Sequence, residues 1–138
     1  MRAGFLLDTN HLSHALRPVS HAREGILERR AKGIVLGTCV PVLCEVEVGL
    51  AHHARRDELR GRLQHLLRHV RVWPIEMETA RQYGAVAAEL RRKGKALSQV
   101  DMMLAALARQ MRVALVTTDP DFEALPDIPA ESWLARDD

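Results

Sequence analysis

The chain has 138 residues, which predicts one compact domain over residues 1–138 and leaves little room for a second. Because 47% of the residues are hydrophobic, a core can form without disulfides or a structural metal, and the net charge of +2 is too small to indicate a nucleic-acid partner by itself. Met1 is followed closely by a short apolar run and an acidic residue, and no apolar stretch approaches the roughly 20 residues of a membrane span. We therefore expect a cytoplasmic protein without a signal peptide or membrane segment.

The first half of the chain begins with a short apolar run. Residues 4–7 predict a buried strand, and Asp8-Thr9-Asn10 after it are residues that cap helices. The short helix that they begin should end before Pro18, because the residue preceding a proline avoids the helical conformation. The next elements predicted are a helix over residues 20–32 and a buried strand over residues 33–36.

Residues 41–53 have an ambiguous pattern. Their valines favour a strand, whereas the length of the segment and its continuation into Ala51-His-His-Ala54 favour a helix, which we predict. Cys39 and Cys44 are the only cysteines and form no CxxC pair. Their apolar surroundings predict that both are small buried hydrophobic residues.

The second half of the chain gives clearer patterns. Leucines at helical spacing predict a helix through residues 59–70, and Pro74 ends the short strand 70–73 that follows. A helix over residues 76–93 should end at Gly94, since glycine is preferred just beyond a helix C-terminus. The last predicted elements are a helix over residues 98–110, capped by Ser98, and an apolar strand over residues 113–116. Because strands alternate with helices, we predict an α/β fold with a parallel sheet between layers of helices.

Four acidic residues are candidates for a functional site in this fold. Asp8 directly follows the first strand, Asp119 follows the fourth after a short turn, and Asp101 lies in the first turn of its helix. Because ligands bind at the carboxyl ends of parallel strands, we expect these side chains at the same edge of the sheet. Glu45 lies among apolar residues, where a buried carboxylate requires a partner. A divalent cation shared by all four acids would satisfy that requirement.

The residue types favour Mg²⁺ or Mn²⁺ over zinc. Both ions prefer oxygen ligands, and a bound divalent ion lowers the pKa of water and offsets the charge that develops on a phosphate. Histidines do not form a competing zinc site, because His52-His53 is a loose pair and His65 and His69 have no acidic ligand beside them.

Each acid also has a purely structural explanation. Asp8 could serve only as a helix cap, and Asp119-Pro120 is a common start of a turn. Ser98 and Asp101 resemble a capping box, and Glu45 could lie on a solvated helix face. All four explanations would have to coincide at one edge of one sheet, which favours a shared functional site.

Four short motifs occur in order along the chain. They are Phe5-Leu-Leu-Asp-Thr-Asn10, Glu45-Val-Glu-Val-Gly49, Gln99-Val-Asp-Met-Met-Leu-Ala-Ala-Leu-Ala108 and Val116-Thr-Thr-Asp-Pro-Asp-Phe122. Together they resemble the signatures of PIN-domain ribonucleases, specifically the VapC-type toxins of bacterial and archaeal toxin–antitoxin pairs. No single motif is specific, whereas the four in this order and at these spacings are, and the resemblance extends from residue 4 to about residue 133.

The resemblance implies a three-layer α/β/α sandwich, dependence on Mg²⁺ or Mn²⁺, and endonucleolytic cleavage of RNA with a metal-activated water. It also implies a homodimer and a cognate antitoxin that blocks the site. Carried over by motif, the metal ligands are Asp8, Glu45, Asp101 and Asp119, and the supporting contacts are Asn10, Thr117 and Thr118.

Two further acids lie close to the predicted ligands in sequence. Asp121 could replace or assist Asp119. Glu47 stands two positions after Glu45, but an offset of two turns a helical side chain to another face, and the spacing to Gly49 favours Glu45.

Two other functions compete with the ribonuclease. A phosphohydrolase of the haloacid-dehalogenase type also has an aspartate after its first strand, but it requires a second aspartate two residues later, where this chain has Asn10. A non-catalytic RNA-binding or partner-binding domain of the same fold is the other alternative, although a site that only binds phosphate has no reason to be acidic.

Overall fold

A computed structural model of the chain describes residues 4–135. The strands are β1 (Gly4–Leu7), β2 (Val35–Cys39), β3 (Arg71–Trp73), β4 (Ala114–Val116) and β5 (Ala130–Glu131). The α-helices are α1 (Thr9–Ala15), α2 (His21–Ala31), α3 (Val40–Ala51), α4 (Arg56–Leu66), α5 (Met77–Arg92) and α6 (Gln99–Met111). A short 3₁₀ helix, Pro120–Ala124, lies between β4 and β5.

The strands form one parallel sheet in the order β3-β2-β1-β4-β5. β1 is the middle strand, and Phe5 lies opposite Leu36 of β2 on one side and Ala114 of β4 on the other. Leu6 and Leu7 are fully buried, as expected for a strand covered on both faces of a parallel sheet. Six helices flank the sheet, which confirms the predicted α/β/α sandwich.

Most of the predicted elements are present. The helix predicted for residues 41–53 is present as α3, which ends at Ala51, and Pro41 stands in its first turn, where a proline is tolerated. Ser98 caps α6 as predicted, with its hydroxyl accepting a hydrogen bond from the Asp101 backbone N–H. Gly94 has a φ of +64° just beyond α5, which confirms its predicted role at the end of that helix.

Some boundaries and one burial prediction were wrong. The second strand begins at Val35 because Gly33, with a φ of +78°, belongs to the turn after α2. The helix predicted through residues 59–70 ends at Leu66, and its cap, Leu67, leads into a turn before β3. Cys39 is buried as predicted, but Cys44 is exposed because it lies on the outer face of α3.

None of the helices in residues 4–135 combines the length and the apolar composition that crossing a membrane requires. The longest, α5, is amphipathic and packs against α6, with Val86 and Leu90 buried.

Close packing between β2 and β3 requires a glycine at position 37. A Cβ atom added there would lie 2.2 Å from Cζ3 of the Trp73 indole, which packs directly on the Gly37 backbone. The indole is rigid and almost fully buried, so it cannot move aside as a flexible side chain would.

We expect Gly37→Ala to lower the free energy of unfolding by about 1–3 kcal/mol, the usual effect of overpacking a core. Gly84→Ala is the matched control, because nothing lies within 4 Å of a Cβ built at that position in α5. Alanine favours a helix by about 1 kcal/mol over glycine, so the control should equal or exceed the wild-type stability. Urea denaturation monitored by circular dichroism measures both effects, and equal stability of the two variants would contradict the packing argument.

Candidate active site

Asp8 lies at the carboxyl end of the middle strand and is held from several directions. Its backbone N–H donates to the Val116 carbonyl at the end of β4, at 3.2 Å. Its side chain caps α1, with Oδ1 accepting a hydrogen bond from the His11 backbone N–H at 2.9 Å. The Nδ1 atom of His11 lies 2.9 Å from the same Oδ1. The helix-capping role of Asp8 is therefore real, but it uses only one of the two carboxylate oxygens.

Glu45 lies on α3 and reaches the same edge of the sheet. Thr9, the neighbour of Asp8 in sequence, donates a hydrogen bond from Oγ1 to Oε1 of Glu45 at 2.5 Å. The expectation that Glu45 is buried among apolar neighbours was wrong, because the helix turns its side chain outward and it is exposed. Glu47 lies on another face, where it forms an ion pair with Arg60 of α4 at 3.1 Å. Of these two acids, only Glu45 contacts the segment that contains Asp8.

The turn after β4 places Asp119 at the site, and a hydrogen bond connects this turn to α1. The Asp119 backbone N–H donates to Oγ1 of buried Thr117 at 3.1 Å, and its Oδ1 accepts from the Asp121 backbone N–H at 2.8 Å. Asn10 donates from Nδ2 to Oγ1 of Thr118 at 3.4 Å.

Asp119 and Asp121 line different cavities beside this turn. Asn10, Thr118 and Asp119 line one cavity of about 870 Å³. Asp121 lines a different cavity, of about 290 Å³, together with Lys95. Asp119 thus shares a cavity with Asn10, two positions after Asp8, whereas Asp121 does not.

Asp101 is the acid on which the charges of the other three carboxylates act. It is half-buried in the first turn of α6, where its backbone N–H donates to Oγ of Ser98 at 3.1 Å. Burial raises the pKa of Asp101 above its usual range, and the negative charges of Asp119, Glu45 and Asp8 raise it further, against the opposing effect of the Ser98 hydrogen bond. Asp8, Glu45 and Asp119 therefore lie close enough for their charges to repel that of Asp101.

The cluster has no lysine or arginine partner within residues 4–135. No Lys or Arg there forms an ion pair with any of the four acids, although several acids elsewhere, such as Glu47 and Asp127, have an arginine partner. Nor do three potential metal ligands of these residues converge closely enough to enclose an ion by themselves. An open set of uncompensated carboxylate oxygens fits an ion such as Mg²⁺, which retains several waters and takes few protein ligands.

Sequence reasoning missed His11. The side chain is fully buried and contacts Asp8, yet the residue was not considered a site residue. The available signal was its spacing, because a side chain three positions after a helix cap lies on the same face as the cap.

Comparison with known proteins supports the same fold. A sequence model of the PIN domain matches residues 5–128. Ribonuclease VapC2 of Rickettsia felis is 24% identical to this chain over 130 residues, which cover 94% of this chain and 97% of the relative.

Two solved structures resemble the chain over almost its whole length. VapBC2 from Rickettsia felis bound to a promoter DNA fragment gives a TM-score of 0.84 at 21% identity and covers 94% of this chain and 98% of that chain. DNA-bound VapBC from Salmonella typhimurium gives a TM-score of 0.82 at 24% identity and covers 96% and 99%, respectively. At these identities, the likeness establishes the fold.

The raised pKa of Asp101 predicts a pH dependence of stability in EDTA. The folded state holds the Asp101 proton more tightly than the unfolded state, so this residue destabilises the protein as the pH rises from about 4 through the raised folded pKa. Asp101→Asn should therefore be more stable than the wild type in EDTA at neutral pH, and the difference should vanish near pH 4.

Asp121→Asn removes the same charge at an exposed position outside the cluster and is the control. Urea denaturation of the three proteins between pH 4 and pH 8 provides the comparison. If the Asp101→Asn and wild-type curves run parallel across this range, burial and the neighbouring charges do not raise the pKa of Asp101 as described.

Proposed function

The chain belongs to the PIN domain family, and on this basis we propose that it is a Mg²⁺- or Mn²⁺-dependent endoribonuclease that acts as the toxin of a toxin–antitoxin pair. The single observation that carries the proposal is the acidic cluster of Asp8, Glu45, Asp101 and Asp119, which no Lys or Arg of residues 4–135 neutralises. The relative from Rickettsia felis is named a ribonuclease, which supports the same reaction.

The four carboxylates would hold the metal, and their neighbours would orient them. When bound, a divalent cation supplies the positive charge that offsets charge developing on the phosphate, and it lowers the pKa of water toward neutrality. Thr9 holds Glu45 through its hydroxyl, and Thr117 holds the backbone of the turn that contains Asp119. Carboxylates from a strand end, two helices and a turn would supply part of the coordination of the ion and leave its other positions to water and RNA.

The alternatives are weaker for identifiable reasons. The second aspartate of a haloacid-dehalogenase-type phosphohydrolase is replaced by Asn10, whose amide is engaged by Thr118. A domain that only bound RNA would gain nothing from a cluster of acids, since a phosphate-binding surface is positively charged. The cost of holding these acids together is explained by a cation that they share.

A protein partner is part of the proposal. Both solved structures described above are VapBC complexes, which supports a cognate antitoxin for this chain. We also propose, from the family resemblance, that the chain is a cytoplasmic homodimer. The outer face of α3, where Val40 and Val48 are 55% and 69% exposed, is apolar surface that a second subunit could cover.

Substitutions at two pairs of neighbouring acids test the proposed nuclease activity. Glu45→Gln and Asp119→Asn should each lower the RNA cleavage rate in Mn²⁺ by about a hundredfold or more, which corresponds to about 2.7 kcal/mol of activation barrier. Their matched controls, Glu47→Gln and Asp121→Asn, carry the same chemical change two residues away and should stay within about threefold of the wild type. Asn at position 119 can still cap the 3₁₀ helix, so the fold is preserved.

Thermal unfolding in Mn²⁺ and in EDTA measures metal binding in the same set of proteins. A ligand that binds only the native state raises the melting temperature, so Mn²⁺ should stabilise the wild type and both controls, and should stabilise the two site variants less. Cleavage by Glu45→Gln and Asp119→Asn at the wild-type rate would reject the assignment of the site.

Growth experiments test the toxin role. Expression of the wild-type chain alone should arrest bacterial growth, whereas Asp119→Asn should not, and the protein encoded by the adjacent gene should relieve the arrest. Asp121→Asn is again the control and should remain toxic. Arrest by both variants to the same extent would separate toxicity from the acidic cluster and contradict the proposed role.

A further inference from the structure

His11 is fully buried beside the acidic cluster, and both of its ring nitrogens have defined partners. Nδ1 lies 2.9 Å from Oδ1 of Asp8. Nε2 lies 3.1 Å from the backbone nitrogen of Trp133, near the other end of the chain. The ring therefore connects a predicted metal ligand to the segment that follows β5.

The two contacts fix which nitrogen carries the proton. A backbone N–H can only donate, so the contact with Trp133 requires a lone pair on Nε2. The neutral imidazole then has its hydrogen on Nδ1, which donates it to Asp8. This tautomer follows from the hydrogen-bond network, and the opposite tautomer would place two hydrogens between Nε2 and Trp133 and none between Nδ1 and Asp8.

The Trp133 side chain anchors the backbone that sets this tautomer. The guanidinium of Arg29, on α2, stacks over the indole with its carbon 3.9 Å from the ring centroid, and the Phe5 ring meets the indole edge-on at 5.2 Å. The indole Nε1–H donates to Oε2 of Glu131 at 2.9 Å. The indole also packs against the Gly25 backbone so closely that a Cβ there would lie 2.9 Å from it.

As a consequence, only one of the two carboxylate oxygens of Asp8, Oδ1, accepts hydrogen bonds from His11. The backbone N–H and the imidazole of His11 both donate to Oδ1, which fixes the rotation of the carboxylate group. No buried side-chain polar atom of the described residues lacks a partner, so Oδ2, which receives no hydrogen bond from them, is reached by solvent. Oδ2 is thus the oxygen of Asp8 that is available to coordinate a cation.

We propose that His11, with its tautomer set by the Trp133 backbone, is a positioning residue that aims Oδ2 of Asp8 at the metal. The proposal rests on the proposed function, since it assumes that Asp8 is a ligand. Hydrogen bonds to metal-ligating carboxylates typically change metal affinity by 10–100-fold when they are removed.

A merely structural role for His11 predicts something different. A buried histidine that only fills space and satisfies Trp133 would affect the stability of the fold but not the affinity for metal. His11→Asn and His11→Leu separate the two roles, because both remove the acceptor for Trp133. Only asparagine retains an N–H donor at the position of Nδ1, two bonds beyond Cβ.

Isothermal titration calorimetry with Mn²⁺ alone is the decisive measurement, made on the wild type, both His11 variants and Asp8→Ala. We expect the dissociation constant of His11→Leu to rise about tenfold or more, and that of His11→Asn to stay within about threefold of the wild type. Equal constants for His11→Leu and the wild type, or equal weakening in both variants, would overturn the positioning role while the proposed function stands. Unchanged Mn²⁺ binding by Asp8→Ala would overturn both.

Long-range ¹H–¹⁵N NMR of the full chain tests the tautomer without any substitution of His11. The spectrum should show Nδ1 protonated and Nε2 unprotonated, a result that does not depend on whether a variant folds. An Nε2-protonated ring would contradict the proposal. Trp133→Ala removes the indole but leaves His11 in place, and it should weaken Mn²⁺ binding. Unchanged Mn²⁺ binding together with an unchanged NMR spectrum would show that the indole has no effect on the tautomer.

Discussion

The site depends first on the pairing of β1 with strands on both of its sides. Gly4 to Leu6 pair with β2 and Phe5 to Leu7 pair with β4, and on the β4 side the ladder continues one step further, where the Asp8 backbone N–H donates to the Val116 carbonyl. On the other side, the buried hydroxyl of Thr38 donates to the Leu7 carbonyl at 3.2 Å. The backbone that precedes Asp8 is therefore held on both sides, and the short apolar strand becomes a fixed support for a charged side chain.

The second constraint is electrostatic, and it opposes the assembly of the site that strand pairing supports. Elsewhere among the described residues, several acids have an arginine partner. Arg109 contacts both Asp127 and Glu89 at 2.7 and 2.9 Å, and its hydrogen bond lowers the pKa of Asp127. At the edge of the sheet, the same chain places four acids together with no such partner and half-buries one of them. Local stability does not explain the position of Asp101, since burial and the nearby negative charges raise its pKa and so oppose its ionisation in the folded state. Functional sites commonly depart in this way from the arrangement that stability alone would favour.

Much of this organisation was predictable because it follows from local rules. Alternation of apolar runs with helical periodicity identified the parallel sheet, and the position of Asp8 and Asp119 after strands identified the edge at which they lie. The exposure of Glu45 was not predictable, because the faces of an apolar helix such as α3 are distinguished only by what packs on them. β5 was missed because it has two residues, and its pairing to Leu115 and Val116 depends on a turn with no apolar periodicity. The contact between His11 and Trp133 joins opposite ends of the sequence, and no local pattern encodes it.

The order of the strands has a consequence for the time at which the site forms during translation. β1 is synthesised first, but its neighbour β4 is synthesised after α6, and the segment that contains Trp133 follows later still. While the chain emerges from the ribosome, Asp8 can be supported by β2, whereas the side of the site formed by β4 and Asp119 does not yet exist. Contacts of such high sequence separation form late in folding because they close the longest loops. A growing chain therefore carries separate parts of an acidic site, and the site assembles only after β4, Asp119 and the segment that contains Trp133 have been synthesised.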